Sequence, residues 1–108
     1  MNNKEVITVI TQGRAFKSGS FLLKMAQNKD GIGKHVAILA PKKQFPTAVM
    51  RNKAKRRLKS CISACLGSVY KLPKGYLYVF TVYKGLLDKT FKESKEETEL
   101  FLTKNGIL

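Results

Sequence analysis

Acidic residues are scarce in this 108-residue chain: seven Asp and Glu stand against 21 Lys and Arg, a formal charge of +14. Between Gly31 and Leu87 there are none at all. Cysteine is nearly absent as well, with only Cys61 and Cys65, four residues apart. On a helix that spacing puts both thiols on one face, which argues against a redox or zinc pair and for small buried hydrophobes in a reducing cytosol. The one histidine is His35. With no acid in the basic middle, the sequence offers neither a carboxylate metal cluster nor a Cys/His pair, so an independent nuclease is not expected. His35 then reads as a strand-surface residue or a phosphate contact. Long apolar runs are missing too. Met1 to Ile10 has no small-residue cleavage site, so neither secretion nor membrane spanning is expected.

What is present is a globular composition, 44% hydrophobic and 9% aromatic, in a length that one core can serve. A single compact domain over residues 1–108 is the expectation. The positive charge is localised. Twelve Lys and Arg lie between Gly31 and Leu87, whereas from Asp88 to Leu108 five acids oppose four bases. The anion-binding surface is therefore expected in the middle of the chain, and its partner to be a polyanion.

Punctuation divides the chain into modest elements. Lys4 to Thr11 reads as a short helix, although its β-branched run Val6-Ile7-Thr8-Val9-Ile10 suits a strand on propensity. Gly13 closes it, a short extended piece follows around Ala15 and Phe16, Ser18-Gly19 turns, and Phe21 to Gln27 reads as a strand. Asn28-Lys29-Asp30-Gly31 carries hairpin-turn residues, so His35 to Ala40 is expected to return antiparallel. Pro41 and Pro46 bracket a basic connection, Lys42-Lys43, and after Thr47 the period changes: Ala54, Leu58, Cys61, Ile62 and Cys65 recur at helical spacing, and Gly67 is the stop. Leu72-Pro73-Lys74-Gly75 turns into a strand from Tyr76 to Tyr83. A last helix is expected from about Asp88 to Lys104, supported by i, i+4 Lys/Glu pairs, with Leu87, Phe91, Thr98 and Phe101 as its inner stripe. Glu93, Glu96, Glu97 and Glu99 read as its solvated face.

The middle helix holds the strongest functional signal. Arg51, Lys53, Lys55, Arg56, Arg57 and Lys59 put six cations into nine residues with no acid among them. Solvated surface helices usually interleave acids and gain i, i+4 pairing. Here the repulsion is left uncompensated, in the N-terminal half of a helix, where the macrodipole disfavours each cation by roughly 0.3–1 kcal/mol. A cost of that kind is offset by a polyanionic partner, and nucleic acid is the reading preferred.

The stretch from Lys42 to Lys59, KKQFPTAVMRNKAKRRLK, resembles the signature of the bacterial ribonuclease P protein subunit: two lysines, a short spacer, then A-V-x-R-N-R-x-K-R-x-x-R. Arg51, Asn52, Lys55 and Arg56 match directly. Lys53 and Lys59 replace arginines, keeping the charge and losing the planar fork that binds phosphate bidentately. Element order is compatible over residues 4 to 104. The resemblance implies an α+β two-layer domain of order αβββαβα, shared with a domain of a small-subunit ribosomal protein and containing a left-handed βαβ crossover, where pattern alone predicts a right-handed one. It further implies an accessory subunit of an endoribonuclease whose catalysis belongs to RNA. Arg51, Asn52, Lys53, Lys55, Arg56 and Lys59 would bind the RNA subunit. Val6, Ile10, Lys24, Ala40, Lys42 and Lys43 would hold the single-stranded 5′ leader of precursor tRNA. No cofactor is expected on the protein, and magnesium is expected at the partner RNA, in a cytoplasmic ribonucleoprotein.

The sequence departs from that family at the leader cleft. Aliphatic Val6 and Ile10 stand where phenylalanines are common, and Lys24 where an aromatic is frequent, so π-faces for unpaired bases are lost. Core packing serves as an equal reading of Val6 and Ile10. Two rivals bear on the whole chain. Lys74 to Thr81 partly imitates the RNA-contacting octet of an RNA recognition motif through Tyr76 and Tyr78, but the 27 residues after Thr81 read as one helix, where that fold needs a helix and a strand. A ribosomal or RNA-chaperone protein would share the basic helix, and the spacing of Ala48-Val49-Met50-Arg51-Asn52 separates it.

Overall fold

The computed structural model describes residues 2–28 and 35–107. The first element is a helix, α1 (Asn3–Gln12), in spite of its β-branched run. A capping box decides it: the Asn2 side chain accepts from the Glu5 amide, and the Glu5 carboxylate accepts from the Asn2 amide, so two otherwise unpaired donors are satisfied. Gly13 ends the helix by donating to the Val9 carbonyl at 2.8 Å. Only a residue without Cβ fits there, since a Cβ would come within 2.4 Å of that carbonyl oxygen and 2.9 Å of the Met25 oxygen.

Strands β1 (Arg14–Lys17) and β2 (Phe21–Gln27) follow, then β3 (Val36–Leu39), helix α2 (Ala48–Leu66), β4 (Tyr76–Val82) and helix α3 (Phe91–Lys104). The element order is the expected αβββαβα. The sheet order is β1-β2-β4-β3. β2 pairs antiparallel with β1 and with β4, whereas β3 pairs in parallel with β4, Val36 opposite Tyr78 and Leu39 opposite Thr81. The expected β2–β3 hairpin is therefore corrected. β3 runs opposite to β2, but β4 lies between them, and the intervening Lys29 to Gly31 turn falls outside the described residues. Helix α2 supplies the long crossover that adjacent parallel strands need.

Alternation along the central strands serves two cores. Phe21 and Leu23 of β2 and Tyr78, Phe80 and Val82 of β4 meet Ala54, Leu58 and Ile62 of α2 and Phe101 and Leu102 of α3. Leu77 and Val79 of β4 meet Val9 of α1 on the other side. Sheet, α2 and α3 thus form the main sandwich, and α1 covers part of the opposite face. The Tyr78 ring is fully buried and its hydroxyl donates to the Pro73 carbonyl at 2.8 Å; burial, with Tyr76 adjacent, pushes that phenol up to about 12. Cys61 is buried and Cys65 half-buried, both as free thiols that burial pushes up.

Three placements differ from the expectations. α3 begins at Phe91 rather than Asp88, because Thr90 caps it in a second capping box with Glu93. Its inner stripe is Ser94, Thr98, Phe101 and Leu102, while Phe91 is left exposed. His35 is a buried residue and not a strand-surface one: its Nε2 lies 3.3 Å from the Leu72 carbonyl oxygen, and its ring meets Tyr78 edge-on.

Candidate nucleic-acid interface

Helix α2 is docked by Ala54, Leu58, Cys61 and Ile62, all fully buried. With that arc used, Lys53, Arg56 and Lys59 are exposed and Lys55 and Arg57 half-buried. Thr47 caps the helix, accepting from the Met50 amide at 3.2 Å, and no acid occupies the first turn. Asn52 is exposed. Arg51 is different in kind. Its Nη1 donates to the carbonyls of Phe45 at 3.0 Å and Pro46 at 3.2 Å, so part of its fork fastens the loop that enters the helix. Phe45 beneath is fully buried.

Beside the first turns of α2 lies an open groove of about 630 Å³. Ile10, Ala40, Lys42, Arg51 and Lys55 are among the residues that line it. Residues that the sequence divided between a leader cleft and an RNA-subunit face thus share one groove, lined by apolar and cationic side chains together. The remaining leader candidates lie elsewhere. Val6 is half-buried against the Val9, Leu77 and Val79 cluster, whereas Ile10 is 36% exposed. One helical turn separates a packing residue from a groove residue. Lys24 reaches from β2 to donate its Nζ to the Ile10 carbonyl. It places a cation at the C-terminus of α1, whose own last turn has no basic residue. Lys43 is exposed but does not line the groove.

Sequence reasoning missed Glu97. It is not a solvated residue: Ser20 donates to it through its amide at 2.9 Å and its hydroxyl at 2.8 Å, and Ser18 and Lys89 donate as well. Burial pushes the pKa of this carboxyl up, but the four donors outweigh that and hold it down at about 2. The group ties the β1–β2 turn to α3. Arg57 joins the same region by donating to the Lys89 carbonyl at 2.9 Å. Only the Ser-Gly-Ser turn hinted at this contact, and its partner is 77 residues away in sequence.

The sequence model of the Ribonuclease P family matches residues 1–106. Among curated proteins no significant sequence match is found. In solved structures, the fold resembles that of the Staphylococcus aureus RNase P protein, with a TM-score of 0.76 at 18% identity over 99% of this chain and 94% of that one. A mutant of the S. aureus protein with defective mRNA degradation activity superposes with a TM-score of 0.77, at 18% identity, over 100% of this chain and 87% of its own. The Thermotoga maritima RNase P protein in complex with 1-(4-fluorophenyl)-2-thiourea gives 0.68 at 19% identity, covering 96% and 92%.

Proposed function

The chain belongs to the ribonuclease P protein family, and from that premise we propose that it is the protein subunit that binds the catalytic RNA and the 5′ leader of precursor tRNA. The observation that carries the reading is the groove that Ile10 and Ala40 line together with Lys42 and with Arg51 and Lys55 of the acid-free stretch of α2. Apolar surface accepts an unpaired base, and the flanking cations neutralise its phosphates and release counterions. Arg56, Lys53, Lys59 and Asn52 face solvent for the RNA subunit, while Arg51 positions the helix entry and leaves its remaining donors for phosphate. The same likeness to the family supports a cytoplasmic ribonucleoprotein rather than a ribosomal or RNA-chaperone protein.

In this reading the RNA cleaves, with its own magnesium, and the protein contributes indirectly. By gripping the leader it holds the scissile bond in place, and by adding cations it lowers the magnesium that the RNA requires. Single-turnover cleavage of precursor tRNA tests it, with protein alone, RNA alone at high magnesium, and both at low magnesium. The expected result is cleavage by the second and third only. Cleavage by highly purified, RNA-free protein, or no gain on adding protein to RNA, would overturn it.

A further inference from the structure

Of the ten aromatic rings in the chain, three are exposed: Tyr70, Tyr76 and Phe91. Two of these border α2, one on each side. Phe91, 44% exposed at the start of α3, forms a groove of about 300 Å³ with Lys53, Arg56 and Arg57. Tyr70, also 44% exposed, lies beyond the end of α2 and shares a groove of about 210 Å³ with Lys55, Arg56 and Lys59. Arg56 lines both grooves. The cations of α2 therefore form a ridge with an aromatic ring on either flank.

Neither ring belongs to the buried clusters of the core. The inner stripe of α3 begins at Ser94, the buried Leu86 lies in the 84–90 connection, and Arg57 ties α2 to the Lys89 carbonyl, which leaves Phe91 at the surface. The neighbour of Tyr70, Val69, is the buried residue of its short turn. Both grooves are at or below the lower bound of small-molecule sites, about 300 Å³. The chemistry of each combines a π-face with three cations, which matches a nucleobase attached to its phosphates. Duplex RNA presents no free base face, so the matching ligand is unpaired.

We propose that the two grooves each take an unpaired nucleotide of the RNA partner, its base stacked on Phe91 or Tyr70 and its phosphates held on the Arg56 ridge. This rests on the proposed RNA-subunit binding and adds to it two aromatic contacts, one of them on α3, outside the basic helix. α2 is then read by the RNA from both flanks as well as along its crest.

The test is equilibrium binding of the full chain to a transcript of the ribonuclease P RNA from the same genome, across a salt series. Phe91→Leu and Tyr70→Leu are each expected to weaken binding about tenfold, as loss of one stacked base does, with the salt slope and the thermal midpoint unchanged. Phe91→Tyr and Tyr70→Phe keep the ring and are expected to bind like the wild type. Because the chain contains no tryptophan, Phe91→Trp adds a direct reporter: its fluorescence is expected to be quenched at saturating RNA, while that of Leu100→Trp, on the exposed side of α3, is not. Wild-type affinity in both leucine variants, as a protein partner for these rings would give, overturns the proposal and leaves RNA binding by α2 standing. So does an absence of quenching in Phe91→Trp. Failure of the wild type itself to bind the transcript overturns both readings.

Discussion

Helices α2 and α3 pack on the same face of the sheet and solve the same problem of a charged outer surface in opposite ways. In α3 the lysines alternate with glutamates, Glu93 closes a capping box, and the Lys89–Glu97 ion pair is the one present among the described residues. Its charges nearly cancel, and Glu93 and Glu97 have partners within the fold. In α2 the six cations from Arg51 to Lys59 have no acid among them, and two are spent on backbone carbonyls, Arg51 on Phe45 and Pro46 and Arg57 on Lys89. The others are left for something outside the chain. Charge composition by itself marks a helix as surface; whether its charges balance within the chain separates α3 from α2.

The largest effect that would break the comparison is on RNA affinity. Replacing Lys53, Arg56 and Lys59 together by alanine should reduce the salt slope by about 2–3 and weaken binding by roughly a hundredfold or more, whereas Lys92→Ala with Lys95→Ala on α3 should change neither by more than a small factor. Affinity measured at several salt concentrations compares the two helices, and equal losses would erase the distinction. Stability should reverse the order. Glu97→Gln is expected to cost about 2–3 kcal/mol in denaturant unfolding, because charge-assisted bonds from Ser18, Ser20 and Lys89 are lost together, while the triple alanine variant of α2 should unfold no more readily than the wild type.

The pH dependence follows from the same carboxylate. Its folded value of about 2 lies below the ordinary 4.5, so its contribution is complete above about pH 4.5 and is lost as pH falls towards 2. Glu97→Gln should remove that part of the acid lability, which unfolding curves between pH 5 and 2 would register. Next in size are the caps. Thr47→Ala and Thr90→Ala should each cost about 1 kcal/mol by thermal denaturation, and Thr90→Ala more, because it also breaks a capping box. The smallest expected effect sharpens the contrast by making α2 resemble α3. Ser60→Glu sets an acid four residues after Arg56 and should stabilise the helix by about 0.3 kcal/mol, yet weaken RNA binding, with opposite signs in the two measurements.

Much of the fold was legible locally. Phe21 to Gln27 is a strand with the expected bounds, and the helix beginning after Thr47 and stopping at Gly67 follows from a period and a terminal glycine. Signals of this kind are complete within a few residues. The β2–β3 hairpin failed because turn residues report a change of direction, not which strand becomes the neighbour. Phe91 failed because its place in the α3 stripe depends on what faces the first turn. Of the leader candidates, Ile10, Ala40 and Lys42 share the groove, while Val6 packs inward and Lys24 serves the end of α1. A one-turn shift in contact is invisible to residue type when both residues are aliphatic.

By itself the sequence determined the order of helices and strands, the acid-free helix from Arg51 to Lys59 and the polyanion it calls for, because periodicity, caps and charge act over neighbouring residues. Only the tertiary structure decided that β4 separates β2 from β3, that Glu97 is an anchor, that His35 is buried, and that Ile10 meets Arg51 and Lys55 across one groove. The reason is that each of these depends on groups far apart in the chain, brought together when the two faces of the sheet are covered, and local sequence carries no record of which distant group arrives.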